Sequence, residues 1–74
     1  MNREHLVRMA NQIGTFFQSQ PDRAEALEGL ANHIAKFWEP RMQREFRALL
    51  DEGGEGVLPF VREALDKHRA LMAA

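Results

Sequence analysis

The stretch FWEPRM, residues 37–42, decides the fold, because its proline separates two segments of helical apolar spacing. Pro40 disfavours the α conformation in the residue before it and lacks the N–H group that would continue a preceding helix. Its fixed φ also suits the first position of a helix, so Pro40 can open the next one. We therefore predict a helix–helix corner at Pro40, with Phe37 and Trp38 buried where the two helices meet.

Two segments before the corner carry apolar residues at the i, i+3, i+4, i+7 spacing of amphipathic helices. The first begins after Asn2, a residue type that caps helix N-termini, and ends before Pro21. The second begins after Asp22, which has the spacing of a capping box with Glu25, and ends at the corner. The apolar stripes are Leu6, Met9, Ala10, Ile13, Phe16 and Phe17 in the first helix and Ala24, Leu27, Leu30, Ala31, Ile34, Phe37 and Trp38 in the second.

Gly14 and Gly29 lie outside these stripes, inside the two helices. A glycine within a helix lowers stability by roughly 1 kcal/mol relative to alanine. The loss is explained if the two helices cross closely, or if another chain packs on that side. A glycine that is merely tolerated is the alternative.

Two further helices are predicted after the corner. The third runs from Pro40 to about Glu52 and has a charged outer face. The run at 53–56 supplies a C-cap and a flexible loop that could act as a hinge, and Pro59 opens the fourth helix. The fold class is all-α, a small four-helix domain over residues 1–74 with a short third helix. The outer face of the third helix is Arg41, Gln43, Arg44, Glu45 and Arg47, and the apolar face of the fourth is Val61, Ala64, Leu65, His68, Leu71 and Met72.

The composition is typical of a small cytoplasmic protein that associates with others. In a chain of 74 residues, the stabilisation by a single hydrophobic core exceeds the entropy cost of folding by only about 3–5 kcal/mol. There is no cysteine to form a disulfide, so association is expected to supply the remaining stability. A net charge of −1 without a basic block argues against a nucleic-acid partner. The sequence has neither an apolar run long enough for a membrane span nor the features of a signal peptide.

Few residues in the sequence have the type and spacing of catalytic or metal-binding groups. The histidines His5, His33 and His68 lie on three different predicted helices, and none has the spacing of a metal motif such as H-E-x-x-H. Thr15 and Ser19 are the only hydroxyl side chains, and neither lies in the context of a catalytic nucleophile. The glycine run lacks the strand and the Lys-Ser/Thr pair of a phosphate loop. We therefore expect no catalytic residue, no metal site and no cofactor in this chain.

Several short strings carry a resemblance to a known family. They are LVRMANQI at 6–13, FF at 16–17, HI at 33–34 and FWEPRM at 37–42. In their order and separation they resemble the small delta subunit of NAD-dependent, molybdenum- or tungsten-containing formate dehydrogenases. The similarity extends from Leu6 to about Ala64, and the paired LVRMANQI and FWEPRM strings are its most specific part.

The resemblance implies an accessory subunit without cofactors in a cytoplasmic bacterial complex. In such a complex the alpha subunit carries the pterin–metal centre and iron–sulfur clusters, and the beta and gamma subunits pass electrons to NAD. The main interpretation is a non-catalytic subunit that binds and stabilises the alpha subunit and aids assembly or cofactor insertion. The beta and gamma subunits are further candidate partners. The alternative is a self-associating helical interaction module, a homo-oligomer unrelated to catalysis.

Four side chains within or beside these strings are candidates for partner binding: Arg8, Asn11, His33 and Arg41. They fit the family strings, yet an apolar core does not require them. An arginine presents a planar fork to a carboxylate or carbonyl, so it is a common anchor at interfaces. Asn11 can exchange hydrogen bonds with another backbone. His33 and Lys36 share a polar side of the second helix, where an interface role is favoured over catalysis. The alternative is that these residues lie on ordinary solvated helix faces.

Overall fold

The computed structural model describes residues 2–72, and within this range it contains α-helices and no strand. The helices are α1 (Arg3–Gln18), α2 (Arg23–Phe37), α3 (Pro40–Asp51) and α4 (Pro59–Lys67), followed by a 3₁₀ helix at Arg69–Leu71. The all-α fold and the short third helix, with 12 residues, are confirmed. The fourth helix, with 9 residues, is shorter still.

The first two helices start directly after the residues predicted to cap them, Asn2 and Asp22. Oδ1 of Asn2 accepts hydrogen bonds from the N–H groups of Glu4 (2.7 Å) and His5 (3.3 Å). Oδ1 of Asp22 accepts one from the N–H group of Glu25 (3.1 Å). These bonds satisfy donors that have no partner inside the helix. The other two helices begin with a proline at the first position, as predicted.

The corner between α2 and α3 forms as predicted. Trp38 and Glu39 leave the helical conformation, with ψ values of 138° and 148°, and Pro40 starts α3. The indole of Trp38 is buried, with 6% of its surface exposed. It meets the ring of Phe46 edge to face at a centroid distance of 5.6 Å. This aromatic pair links the end of α2 to the middle of α3.

The position of Gln43 contradicts one part of the sequence prediction. We expected it on the outer face of α3, but it is buried, with 3% of its surface exposed. Its Nε2 donates to the carbonyl oxygens of Trp38 (2.7 Å) and Ala35 (3.2 Å). Carbonyl groups at the end of a helix have no partner inside it, and here the side-chain amide of Gln43 is that partner.

The core lies between the helices, with α2 in contact with each of the other three. The buried side of α2 follows the row Ala26, Leu30 and Ile34, which are spaced four residues apart. Ala26 is therefore a core residue that the predicted stripe of α2 did not include, whereas Ala24, which the stripe did include, is exposed. Phe60 of α4 is likewise buried although the predicted face of that helix did not include it. The buried apolar residues are Leu6, Ala10, Ala26, Leu27, Leu30, Ala31, Ile34, Trp38, Phe46, Leu49, Leu50, Phe60, Val61, Ala64, Leu65 and Met72.

Three large apolar residues predicted to face the core are exposed instead: Phe16 (65%), Phe37 (68%) and Leu71 (42%). Phe16 directly precedes Phe17, and neighbouring positions of a helix point about 100° apart. The ring of Phe17 faces α2 at Gly29, and the ring of Phe16 consequently points toward solvent. Phe37 is the last residue of α2, and Trp38 after it fills the corner. Leu71 follows the end of α4 in a 3₁₀ helix, whose tighter winding changes the register of the apolar stripe.

Both helical glycines allow close packing inside the fold. At Gly29 a methyl group would come within 2.9 Å of the ring of Phe17, so the predicted close approach of α1 and α2 is confirmed. Gly14 faces α4 instead, where a methyl group would collide with Cγ2 of Val61. The glycine positions are therefore explained by neighbouring helices of this chain.

The glycine run after α3 ends that helix, as predicted. Gly53 and Gly54 have positive φ angles, 118° and 60°, and their N–H groups donate to the carbonyl oxygens of Leu50 (3.1 Å) and Leu49 (3.0 Å). This is the Schellman pattern of a glycine C-cap. Arg62 of α4 donates to the carbonyl oxygens of Gly53 (2.9 Å) and Leu50 (2.8 Å). The loop that we expected to be flexible is thus tied to α4.

Candidate functional site

The four candidate residues lie in three places. Arg8 and Asn11 line one groove beside α1. His33 belongs to a group of rings on α1 and α2, and Arg41 lies on the first turn of α3. The structure therefore brings only Arg8 and Asn11 together, because they are three residues apart on one helix.

An open groove of about 760 Å³ lies between α1, the end of α3 and the glycine loop; we call it the loop groove. Arg3 and Glu52 form an ion pair at this groove, with Nη1 and Oε1 2.8 Å apart. The hydrogen bond from Arg3 holds the pKa of the Glu52 carboxyl below its usual value. The lining combines apolar Val7 and Leu49 with charged Arg3, Glu4, Arg8, Glu52 and Glu55.

Asn11 ties the glycine loop to α1. Its Nδ2 donates to the carbonyl oxygen of Gly56 (2.9 Å), and its Oδ1 accepts from the N–H group of Leu58 (3.0 Å). The hydrogen bonds to another backbone that the sequence allows are therefore made to a loop of the same chain. Both ends of this amide shape the wall of the loop groove.

Arg8 and Arg41 are both exposed. Neither guanidinium makes an ion pair with a carboxylate of residues 2–72. Arg41 lines a smaller hollow of about 250 Å³ together with Glu45. Glu45 accepts a hydrogen bond from Nε of Arg3 (3.3 Å), and Arg3 also lines the loop groove. Each hollow is therefore lined by one of the two residues of this ion pair.

A continuous line of rings crosses the surface from α1 to α2; we call it the aromatic strip and define it as Phe16, Phe17, His33 and Phe37. Successive ring centroids are 5.2, 5.9 and 4.8 Å apart. The two middle rings are half-buried, whereas Phe16 and Phe37 at the ends are about two-thirds exposed. Large exposed apolar groups that lie together are typical of interaction sites.

The helical spacing does not predict the strip, although the sequence holds a signal for it. That spacing places Phe16 and Phe37 with the core residues. Each is adjacent to another aromatic residue, Phe17 or Trp38, and neighbouring positions of a helix point about 100° apart, so two adjacent large rings do not point the same way. Of the candidate residues, only His33 lies in the strip.

The pKa shifts among residues 2–72 arise chiefly from exposed ion pairs that join separate helical segments. A hydrogen bond from Arg69 lowers the pKa of the Asp51 carboxyl, with Nη2 and Oδ1 2.6 Å apart. A hydrogen bond from Arg23 lowers the pKa of Glu63, with Nη2 and Oε1 2.6 Å apart. Along residues 2–72, no three His, Asp or Glu side chains meet in a group that could hold a metal ion. None of the described helices combines the length and the apolar character of a membrane span.

The fold and its surfaces define a small all-α protein with an exposed aromatic strip and a polar groove beside a glycine loop. Residues 5–65 match the model of the family described as NADH-dependent formate dehydrogenase delta subunit FdsD, and the chain belongs to this family. The resemblance stated from the sequence strings is thereby confirmed. Comparison with curated proteins and with solved structures gives no match. The matched residues include the aromatic strip and all four candidate binding residues.

Proposed function

We propose that this chain is a non-catalytic accessory subunit of a cytoplasmic bacterial NAD-dependent formate dehydrogenase. It binds and stabilises the molybdopterin-containing alpha subunit and aids assembly or cofactor insertion. The observation that carries this proposal is the match of residues 5–65 to the FdsD delta-subunit family. The beta and gamma subunits are further members of the same complex.

The carboxyl groups with shifted pKa values in residues 2–72 lie in surface ion pairs. Catalytic groups are usually shifted in pKa by burial inside a cleft. The carboxyl groups with lowered pKa here, Asp51, Glu52 and Glu63, instead pair with arginines at the surface. His33 lies between two phenylalanine rings, where it acts as an aromatic packing group.

The accessory role is tested by producing the alpha, beta and gamma subunits with and without this chain. We expect less soluble alpha subunit, less molybdenum or tungsten per alpha subunit, and slower formate oxidation when the chain is omitted. The reason is that a bound subunit shifts its partner toward the folded, assembled state by mass action. Equal yield, metal content and activity in both preparations would contradict the accessory role.

The candidate residues have separate roles in this proposal. Arg8, His33 and Arg41 contact the alpha subunit directly. Asn11 acts through the glycine loop, because its amide is already bonded to Gly56 and Leu58. The unpaired guanidinium groups of Arg8 and Arg41 are suited to carboxylate or carbonyl groups of the partner.

The contacts of the two arginines are tested with the double variant Arg8→Ala/Arg41→Ala. We expect weaker co-purification with the alpha subunit and slower formate oxidation by the complex, with helical circular dichroism retained. The double variant Arg23→Ala/Arg69→Ala is the control, because it removes the same charge from arginines that serve ion pairs within the chain. If both double variants co-purify equally well, Arg8 and Arg41 lie outside the docking surface.

A second candidate function is a self-associating helical module, which the exposure of the aromatic strip on the isolated chain supports. Self-association would make the melting temperature fall on dilution, because the associated state is favoured by concentration. A dimer in sedimentation and a melting temperature that falls over an approximately hundredfold dilution would favour this alternative. A monomer with a constant melting temperature would reject it.

A further inference from the structure

We propose that the aromatic strip is the surface through which this chain docks on the alpha subunit, and that the alpha subunit receives Phe16 and Phe37 in apolar pockets. The inference rests on the proposed function and specifies its interface. The pockets are accompanied by a carboxylate opposite Lys36 and a cation opposite Glu25.

The strip is held in place before any partner binds. The ring of Phe17 lies against Gly29, where an added methyl group would come within 2.9 Å of it. Phe16 meets Phe17 edge to face, with an interplanar angle of 84°, and His33 lies against Phe37 with centroids 4.8 Å apart. The exposed end rings are thus each supported by a half-buried ring. Such preorganisation reduces the entropy lost on binding.

The shape of the strip fits insertion into pockets. Aromatic residues dominate the binding energy of protein interfaces when they fill desolvated pockets on the partner. Phe16 and Phe37 are 65% and 68% exposed, so most of each ring is available to a partner. Met9 and Ile13 are half-buried on α1 at four-residue steps before Phe17, and they extend the apolar surface along that helix.

Charges of opposite sign lie at the two ends of this surface. Glu25 precedes Gly29 by four residues and therefore begins the α2 row that continues to His33 and Phe37. Lys36 lies beside Phe37 at the other end of the row. Neither Glu25 nor Lys36 forms an ion pair with the part of the chain that the structure describes. A complementary partner presents a cation at the first end and a carboxylate at the second.

The area of the strip distinguishes a large subunit from a second copy of this chain. A second copy related by a two-fold axis would place its Lys36 opposite Glu25 and its Glu25 opposite Lys36. Charge alone therefore does not decide between a larger subunit and a second copy. The exposed parts of Phe16 and Phe37 together offer roughly 200–330 Å². A stable interface buries about 800 Å² on each partner. Two copies would have to cover the difference with polar helix faces, whereas a larger subunit can surround the rings and also contact their flanks.

The experiment measures binding of the purified full chain to the alpha subunit for wild type, Phe16→Ala/Phe37→Ala and Leu71→Ala. We expect the double variant to raise Kd by about a hundredfold or more. Leu71 is the control, since it is another exposed large apolar residue outside the strip. Its variant should bind like wild type. The melting temperature of the isolated chain should change little in Phe16→Ala/Phe37→Ala, because about two-thirds of each deleted ring is exposed.

The charge at one end is tested separately with Lys36→Glu, which should weaken binding to the alpha subunit more at low salt than at high salt. Wild-type binding that persists unchanged in Phe16→Ala/Phe37→Ala would overturn the strip proposal and leave the accessory role intact. Failure of the wild-type chain itself to bind the alpha subunit would overturn the proposed function. A dimer of the isolated chain that the double variant abolishes, with alpha-subunit binding unchanged, would assign the strip to self-association and overturn the docking proposal.

Discussion

Gln43 on α3 donates its side-chain amide to the carbonyl oxygen of Trp38 across 2.7 Å, and so connects α3 to the residue that ends α2. The same amide nitrogen reaches the carbonyl oxygen of Ala35 at 3.2 Å. Leaving a buried carbonyl without a donor costs about 1–3 kcal/mol. The corner at Pro40 therefore depends on a buried polar side chain as well as on the aromatic contact beneath it.

The first prediction concerns this amide. Gln43→Ala should lower the free energy of unfolding by about 1–3 kcal/mol, because two carbonyl groups at the end of α2 lose their donor. Gln43→Leu should not restore it, since leucine fills the space without donating a hydrogen bond. Urea unfolding measures both, with the exposed Gln18→Ala as the control. Wild-type stability in Gln43→Leu would show that the amide bonds do not stabilise the corner.

The second prediction compares two adjacent aromatic residues. Trp38→Ala should cost about 3–5 kcal/mol, because it removes a buried indole from its contact with Phe46. Phe37→Ala is the matched control and should change stability by less than about 0.5 kcal/mol, since that ring is 68% exposed. Chemical denaturation followed by circular dichroism measures both. Similar losses at the two positions would mean that the burial of this pair is assigned wrongly.

The helix limits could be predicted because they depend on local chemistry. A cap such as Asn2 or Asp22 satisfies N–H groups within three residues of itself. Pro40 acts on its own backbone and on that of the residue before it. These effects require no knowledge of the neighbouring helices, and the structure agrees with them at α1, α2 and α3.

The surfaces could not be predicted in the same way, because they depend on which helices meet. Helical spacing groups Phe16 and Phe37 with core residues, but it does not say whether another helix covers them. The burial of Gln43 follows from the position of the α2 carbonyl groups, which are close only after the corner has formed. The two hydrogen bonds of Asn11, one donated and one accepted, likewise join residues more than 40 positions apart in the chain. The family strings lie on the helices that carry the candidate surfaces, but the packing of the helices decides which of their sides are exposed to solvent.

The third prediction concerns the contact of α1 with α4. Gly14→Ala should destabilise the fold by about 1–3 kcal/mol, because the added methyl group collides with Cγ2 of Val61. Valine is branched at Cβ and has little freedom to turn away. The double variant Gly14→Ala/Val61→Ala should lose less stability than the two single variants predict by addition. Simple additivity in urea unfolding would indicate that the two residues are not in contact.

The fourth prediction concerns the attachment of the glycine loop. Asn11→Asp keeps an acceptor for the N–H group of Leu58 but loses the donor to Gly56, so the loop should open more often. Hydrogen exchange at the loop amides should be faster in Asn11→Asp than in wild type, and Asn11→Ala should show a larger effect at Leu58. Asn32→Ala is the control, because Asn32 is an exposed asparagine within α2. Equal exchange rates in all of these proteins would contradict the role of Asn11.

The last prediction concerns acid stability. Hydrogen bonds from arginines lower the pKa values of Asp51, Glu52 and Glu63 in the folded chain, relative to ordinary values of 3.8 for Asp and 4.5 for Glu. A carboxyl group whose pKa is lower in the folded state stabilises that state at pH values above its ordinary pKa. This contribution disappears as the pH falls through the ordinary value toward the lowered one, because the unfolded chain then binds more protons.

The melting temperature should therefore be nearly constant between about pH 6 and 7 and should fall below about pH 4.5. In Glu52→Gln/Glu63→Gln the melting temperature should be slightly lower at neutral pH and should fall less on acidification. Glu28→Gln/Glu55→Gln removes the same charge from exposed carboxylates that form no ion pair within residues 2–72, so it should retain the wild-type pH dependence. Because these ion pairs are exposed, added salt should reduce the difference between the two double variants. The same acid slope in both double variants would show that the arginine pairs do not control the acid stability of this chain.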